Sequence, residues 1–238
     1  MSSFYHAFFF DPLYNLLVIL FKTLPWADVG IAVILLTVLV RLIIFPLSKK
    51  AILTQVKMNE IGPELAKIKE KYKDKTEEQA RLTLALYKDK KVNPFSGILV
   101  IIIQIPIIFA LYQIFLHLPE VNPEFIYSFV TAPEHINTTF LGVLDITSKS
   151  IVIAFLAAVS TFFQFKISMK GQVKPTGDSF GSNLTRSMQT QMKYFFPIIV
   201  FFVSYNISGA IALYWLTTNL FSIGQELFIR RRIIPQKV

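Results

Sequence analysis

The sequence predicts an all-α integral membrane protein with five transmembrane helices. Of its 238 residues, 53% are hydrophobic and 23 are Phe, and the mean hydropathy is +0.53. A soluble chain of this length could not bury so much apolar surface in one core. The apolar residues are also concentrated in runs that approach or reach the length of a membrane span. These five runs occupy residues 29–47, 95–116, 150–169, 194–207 and 208–227.

The first 25 residues are predicted to form an interfacial helix that lies flat on the outer membrane surface. Their apolar run, Leu13–Phe21, is too short to span, and the basic start of a signal peptide is missing. The pair Asp11-Pro12 favours a helix start, and Pro25 favours a helix end. An amphipathic helix at the interface accounts for both signals.

Residues 48–93 are predicted to form a helical hairpin in the cytoplasm. Apolar residues at helical spacing follow the break at Gly62-Pro63, and a capping box of Thr76 and Gln79 is predicted to open the second helix. Its 12 basic and 7 acidic residues indicate a solvated segment. One interpretation is a charged loop that only fixes topology. The favoured one is a moving arm that meets incoming chains or partner proteins, because 46 residues are many for a connector.

Basic residues predict the orientation, because Lys and Arg are retained in cytoplasmic loops. Residues 48–93, residues 166–193 and the tail from Arg230 hold 21 of the 24 Lys and Arg residues, whereas residues 117–149 are acidic. We therefore expect the N-terminus outside and the C-terminus in the cytoplasm. The predicted organisation is an interfacial helix (1–25), a first span (26–47), a cytoplasmic hairpin (48–93), a four-span core (94–232) and a short tail (233–238).

Composition argues against several function classes. The chain has no Cys, and its three histidines lie outside the apolar runs, so neither a metal site nor an intramembrane nucleophile is expected. None of its 9 glycines belongs to a phosphate-binding loop. We therefore expect no enzymatic activity and no cofactor. The net charge of +9 follows topology, so it predicts attraction to anionic lipids and ribosomal RNA rather than sequence-specific nucleic-acid recognition.

Arg41 is the main candidate for a functional residue, because it is the one permanently charged side chain in the first apolar run. An Arg near the middle of a span costs about 2.5 to 3.5 kcal/mol on an insertion scale, so it usually faces protein or a wet cavity. Thr37 lies one turn earlier on the same helix face. Taken singly, the other polar side chains of the spans are better explained as contacts between helices, but a buried guanidinium needs acceptors or water. Those expected around the guanidinium are Gln104, Gln164, Trp215 and Thr218.

Three motifs in a fixed order give the sequence a specific resemblance. They are TVLVRLIIFPLSKKA (37–51), LYKDKKVNPFSGILVIIIQIPIIFALY (86–112) and LYWLTTNLFSIGQE (213–226). With them the chain resembles the YidC membrane-protein insertase family over nearly its whole length, in the short form without a large extracellular domain. The resemblance implies a five-span bundle around a hydrophilic groove that is open to the cytoplasm and to lipid and closed toward the outside.

The resemblance also implies roles for individual residues. Arg41 corresponds to the groove arginine, Thr37 to the polar residue one turn before it, Gln164 to the groove glutamine of the third span and Trp215 to the aromatic position of the last. The implied function is an insertase and chaperone of the bacterial inner membrane. It moves hydrophilic segments of nascent membrane proteins through the groove and releases their transmembrane helices into lipid, with a ribosome and a Sec translocon as further partners.

The residues alone are also compatible with two other functions. A small transporter or channel would also place Arg41 in a wet cavity, although the sequence shows no inverted repeat. In a structural assembly factor, Arg41 would be a local packing feature that can be neutralised without consequence.

Overall fold

The computed structural model describes residues 3–24, 28–93, 95–170 and 186–232. Its helices, named α1 to α8 in chain order, are Ser3–Thr23, Val29–Glu60, Gly62–Lys71, Thr76–Asp89, Ser96–Leu116, Ile151–Ser168, residues 186–207 and Gly209–Arg232. A short antiparallel ribbon of β1, Thr139–Phe140, and β2, Leu144–Asp145, lies between α5 and α6. The all-α class is confirmed, with this ribbon as the only sheet in the described ranges. The predicted tail at 233–238 lies outside them.

Long apolar helices support the membrane class. Within the described ranges α1, α2 and α6 are long and apolar enough to cross a membrane, and α5 contributes a shorter apolar stretch, Ile102–Leu116. Large apolar side chains such as Phe109, Phe155 and Phe202 are exposed on the outside of the bundle, as expected for surfaces that face lipid tails. The count of five spans stays a prediction.

The first helix is longer than the sequence indicated. It begins at Ser3 rather than at Asp11, and a π-helical turn at His6–Phe10 connects the two parts. The wider turn accommodates Pro12, which lacks a backbone N–H and would interrupt a regular α-helix. With 21 residues, α1 as a whole has the length and hydropathy of a span, although its apolar run Leu13–Phe21 is shorter than one. Its position on the outer membrane surface stays a prediction.

Asn15 attaches α1 to the loop that follows α5. Its side chain is 2% exposed, donates to the Phe125 carbonyl at 2.8 Å and accepts the Tyr127 N–H at 2.7 Å. The hydroxyl of Tyr14 accepts the N–H of Asn122 at 2.6 Å. Because a buried amide without partners is costly, these bonds hold residues 122–127 against the helix.

The second helix, α2, runs without a break from Val29 through Pro46 to Glu60, a length of 32 residues. The predicted boundary between span and hairpin at residue 47 therefore does not coincide with a helix end. The change from apolar to charged residues there favours water over lipid as the surroundings of the helix. It does not end the helix, because Lys, Gln and Met are good helix formers. The first part of the segment predicted to be cytoplasmic is thus a direct extension of the helix that carries Arg41.

Helices α3 and α4 form the predicted hairpin, which begins after the break at Ile61. The predicted capping box was wrong, because Lys75 is the N-cap of α4 and no side chain caps it. The Gln79 amide instead donates to the Lys69 carbonyl at 3.0 Å in the last turn of α3. It thereby satisfies an acceptor that the end of a helix leaves open.

The ribbon and the residues beside it hold the N-terminal ends of α2 and α8. The Asp28 carboxylate is the N-cap of α2, accepting the Ile31 N–H at 2.8 Å and the Leu141 N–H of the ribbon turn at 2.9 Å. The N–H of Gly209 donates to the Ser148 carbonyl at 2.8 Å. Both helix starts are therefore fixed by one loop.

Asp145 organises the turn that leads from the ribbon into α6. Its carboxylate accepts the Thr147 hydroxyl at 2.7 Å and the Ser148 hydroxyl at 3.0 Å. The bond from the Thr147 hydroxyl, more than any other contact, lowers the pKa of this carboxyl below its usual value. Because the pKa of the folded state is depressed, the stabilisation is present at neutral pH and is lost as the pH falls through that pKa.

Helix α8 lies at the centre of the bundle, where it packs against α2, α5, α6 and α7. The largest buried apolar cluster lies where α1, α2, α5 and the first turns of α8 meet. Between α5 and α7 there is no extensive contact in the described part of the chain. The helices therefore form an arc that is densely packed at the N-terminal ends of α2 and α8 and has one open side.

Gly30 provides a test of how tightly the ribbon is packed. A Cβ added there would overlap with the ring of Phe140. We expect Gly30→Ala to lower the free energy of unfolding by about 1 to 3 kcal/mol through overpacking, measured by denaturant titration in detergent micelles.

Gly224→Ala is the matched control, because a Cβ there meets nothing within 4 Å. It should leave stability unchanged or raise it slightly, since Ala is the better helix former. Adding Phe140→Ala to Gly30→Ala should remove the overlap. If the two substitutions instead lower the free energy of unfolding additively, overlap with Phe140 does not explain the effect of Gly30→Ala.

Candidate functional site

Arg41 is half-buried on α2, on the side that faces α8. Its guanidinium lies within electrostatic reach of the Tyr214 hydroxyl on α8. Among the described residues no carboxylate forms an ion pair with it. A guanidinium that is partly removed from water and lacks a fixed counter-ion retains most of its capacity to attract an anion.

Tyr214 connects the cation to two other predicted residues. Its hydroxyl accepts a hydrogen bond of 2.6 Å from Nε2 of Gln104 on α5. Thr218, one turn further along α8, is a neighbour of the same hydroxyl, yet its own Oγ1 is buried and completes no hydrogen bond in the described structure. The structure thus brings Arg41, Gln104 and Thr218 together around one phenol.

The other three predicted residues lie in different surroundings. Thr37 is buried, and its hydroxyl donates to the Val33 carbonyl of its own helix at 2.6 Å. Gln164 on α6 is half-buried, and no hydrogen bond within the described ranges joins it to Arg41. Trp215 is half-buried too, with its ring centroid 6.4 Å from that of Phe196 on α7. No hydrogen bond among the described residues joins these three side chains to the guanidinium.

A second polar contact joins α2 to α8 nearer their C-terminal ends. Nε2 of Gln225 donates to the Ser48 hydroxyl at 2.8 Å and to the Phe45 carbonyl at 3.3 Å. Both groups lie beside Pro46, which interrupts the backbone hydrogen bonds of α2. The glutamine therefore stabilises α2 at its weakest turn.

Asn219 joins α8 to α6. Its Nδ2 lies 2.7 Å from the Thr161 hydroxyl, 3.0 Å from the Ser160 hydroxyl and 3.4 Å from the Ala157 carbonyl. All four side chains are buried or small, so the contact excludes lipid. Such bonds orient helices that apolar packing alone would leave free to rotate.

Arg230 fastens the last turn of α8 to the end of α6. It forms an ion pair of 2.9 Å with the buried Glu226 and donates to the carbonyls of Ser168 at 3.3 Å and Lys170 at 3.1 Å. Glu226 is therefore paired within its own helix and is not a counter-ion for Arg41. The cation also satisfies carbonyls that the C-terminus of α6 leaves open.

Sequence reasoning did not select Tyr214 for the site. Tyr214 and Trp215 are adjacent and so point in different directions from α8, and only the rotation of the helix decides which of them faces Gln104. The bonds of Gln225 and Asn219 were also missed. The signal for Gln225 is its spacing from Tyr214 and Thr218, which places these three residues along one face of α8.

Comparison with known proteins agrees with this architecture. Residues 20–237 match the sequence model of a family described as "60Kd inner membrane protein". The chain is similar to the membrane protein insertase YidC of Clostridium tetani, with 29% identity over 209 residues, 88% of this chain and 84% of that protein. It is 33% identical over 203 residues to the YidC of Francisella tularensis subsp. novicida, which is 85% of this chain and 32% of that protein.

A third relative is the membrane protein insertase YidC of Pelobacter propionicus, 29% identical over 207 residues. The match includes 86% of this chain and 35% of that protein. The chain therefore spans most of the clostridial relative but only about a third of the other two.

Asn219 tests how much the polar contacts of α8 contribute to stability. Asn219→Ala removes the bonds to α6 and should lower the free energy of unfolding by about 1 kcal/mol, a common value for polar contacts between membrane helices. Denaturant titration in micelles measures the difference.

Asn206→Ala is the matched control on the neighbouring helix. Asn206 is exposed and donates only to the Phe202 carbonyl of its own helix, at 2.8 Å. Its loss should change stability by less than about 0.5 kcal/mol. Equal losses for the two variants would contradict the role assigned to Asn219.

Proposed function

The chain belongs to the 60Kd inner membrane protein family, and from this premise we propose that it is a membrane protein insertase. The observation that carries the proposal is Arg41, a half-buried cation inside a bundle of apolar helices that has no carboxylate partner among the described residues. The relatives with which the chain aligns over at least 85% of its length are named as insertases.

The substrate of this activity is a nascent membrane protein with a hydrophilic segment beside an apolar one. The hydrophilic segment enters the open side between α5 and α7, in a groove lined by Arg41, Gln104, Tyr214 and Thr218. Arg41 transiently neutralises acidic residues of that segment. At 4 Å and an effective dielectric constant of 20, the attraction is about 4 kcal/mol before desolvation is subtracted.

Release follows from the substrate's own hydrophobicity. Once the hydrophilic segment has passed, the adjoining apolar segment moves out between the helices into lipid, and the free energy of that transfer drives the step without a nucleotide. The packing supports one direction of entry. Buried apolar side chains fill the N-terminal ends of α2 and α8, whereas polar contacts such as Ser48–Gln225 dominate toward the C-terminal ends.

The membrane setting follows from the family and from the long apolar helices, which indicate a multi-pass protein of the bacterial inner membrane. We propose the orientation with the N-terminus outside and the C-terminus in the cytoplasm. The hairpin of α3 and α4 then projects into the cytoplasm as an arm for nascent chains. A ribosome, a Sec translocon and anionic lipids are its further partners.

Arg41 is tested by complementation of a bacterium depleted of its own insertase. The measured quantity is insertion of a single-span substrate with an acidic outer segment. Arg41→Ala should lower insertion about tenfold, which corresponds to about 1.4 kcal/mol of lost stabilisation, while Arg41→Lys should retain most of it because the charge remains.

Two controls make the result specific. Arg81→Ala removes the same side chain from an exposed position on α4 and should insert the substrate normally. A substrate whose acidic residues are replaced by Asn and Gln should be inserted equally well by the wild type and by the Arg41→Ala variant. If all variants insert the acidic substrate equally, the charge mechanism is wrong. If the well-expressed wild type does not complement at all, a small transporter or channel with a cationic site becomes the better explanation.

A further inference from the structure

A pair of lysines lies at the edge formed by α6 and α7, away from Arg41. Nζ of Lys193 is 4.9 Å from the ring centroid of Tyr194 and 5.9 Å from that of Phe162, so it is held between rings of two helices. Nζ of Lys166 is 6.0 Å from the ring centroid of Phe163. Aromatic faces attract a cation and fix its position without neutralising its charge.

The backbone of α7 contributes to this arrangement. Lys193 lies in a π-helical turn, Gln191–Phe195, in the middle of an otherwise α-helical segment. Such turns are rare and shift the side chains around them, and they often occur at functional positions. Here the turn presents Lys193 and Tyr194 toward α6.

Both lysines lie at similar depth in the bundle. The start of α6 and the end of α7 lie at the same level, because the residues directly after α7 bond to those directly before α6. The Ala210 N–H donates to the Ile146 carbonyl at 2.8 Å, and the Gly209 N–H donates to the Ser148 carbonyl at 2.8 Å. From those ends the helical rise of about 1.5 Å per residue puts Lys166 about 22 Å and Lys193 about 21 Å along their helices. The hydrocarbon core of a bilayer is about 30 Å thick. At this depth, extended lysine side chains bring both ammonium groups near the level of the lipid phosphates.

The surroundings are apolar and lack negative charge. Phe163, Tyr194 and Phe195 are about half exposed, at 47%, 54% and 59%. Between Asp145 and Glu226 the sequence has a single acidic residue, Asp178, and no described carboxylate pairs with either lysine. The edge therefore combines an apolar surface that acyl chains can cover with two cations that have no counter-ion among the described residues.

We propose that this edge binds the headgroup of an anionic phospholipid. The phosphate lies between Lys166 and Lys193, and the acyl chains lie along the exposed rings and the apolar face of α7. The site is separate from the groove around Arg41 and does not depend on the insertase function. Ribosomal RNA would bind the same cations without using the exposed apolar face below them.

The test uses the full chain in detergent, titrated with phosphatidylglycerol and, separately, with phosphatidylcholine, and bound lipid is counted by native mass spectrometry. The wild type should bind phosphatidylglycerol with clear preference. Lys166→Gln/Lys193→Gln should lower its apparent affinity about tenfold or more, since each basic residue near the headgroups contributes about fivefold. Lys166→Arg/Lys193→Arg should bind as the wild type does.

Lys71→Gln/Lys73→Gln is the matched control. It removes two lysines from the hairpin, one of which also lies over a ring, Tyr72, at 5.6 Å. This variant should bind the lipid within twofold of the wild type. Thermal unfolding of each variant shows that the bundle is intact. If the Gln pair does not fold, Lys193→Gln alone and the Arg pair provide the same comparison.

Three outcomes would overturn the proposal. The first is equal affinity of the wild type and the Gln pair for phosphatidylglycerol. The second is an equal loss in the hairpin control, which would indicate charge attraction without a site. The third is unchanged lipid binding together with weakened ribosome binding by the Gln pair, which would assign the lysines to RNA. None of these results bears on complementation by Arg41 variants, so the two proposals fail separately.

Discussion

The hydrogen bonds that α8 makes with its neighbours determine how this bundle is arranged. Lipid tails are as apolar as Leu or Ile, so apolar contact alone gives helices little preference for one another over lipid. Polar side chains provide that preference here. Gln225 joins α8 to Ser48 on α2, Asn219 joins it to Thr161 on α6, and Arg230 joins it to the end of α6. Each bond also fixes the rotation of α8, and thereby which of its residues face Arg41.

That rotation creates the setting of the cation. Tyr214 faces Arg41 and is held from the other side by Gln104, so three helices contribute to one polar centre. At the far ends, Asp28 and Gly209 bind the ribbon and the loop after it, which keeps α2 and α8 level. The apolar cluster fills the bundle at the N-terminal ends of α2 and α8, and the polar contacts lie toward their C-terminal ends. Arg41 thus lies between an end filled by apolar side chains and an end with polar contacts, an arrangement that the proposed groove requires.

The continuity of α2 connects this centre to the hairpin. The same 32-residue helix holds Arg41 and projects beyond the span toward α3, so a displacement of the hairpin would act on α2 directly. Pro46 lies between the two parts and weakens one turn, while Gln225 supports it from α8. The lysines at the α6–α7 edge lie on the opposite part of the arc. The proposed lipid site and the cation of the proposed groove thus lie on different helices.

The sequence by itself determined the membrane class, the α-helical class and the break at Gly62, and it singled out Arg41 as the candidate residue. These features depend on composition, local hydrogen bonding or the cost of one charge in lipid, all of which are readable along the chain. It misjudged the start of α1 and the end of α2, because charged residues and a proline do not by themselves end a helix that continues into solvent or packs on a partner. The tertiary structure alone decided that Tyr214 accepts a bond from Gln104 and that Asn15 holds a distant loop. Such pairings depend on the rotation and depth of whole helices, which many weak contacts set together and no local pattern records.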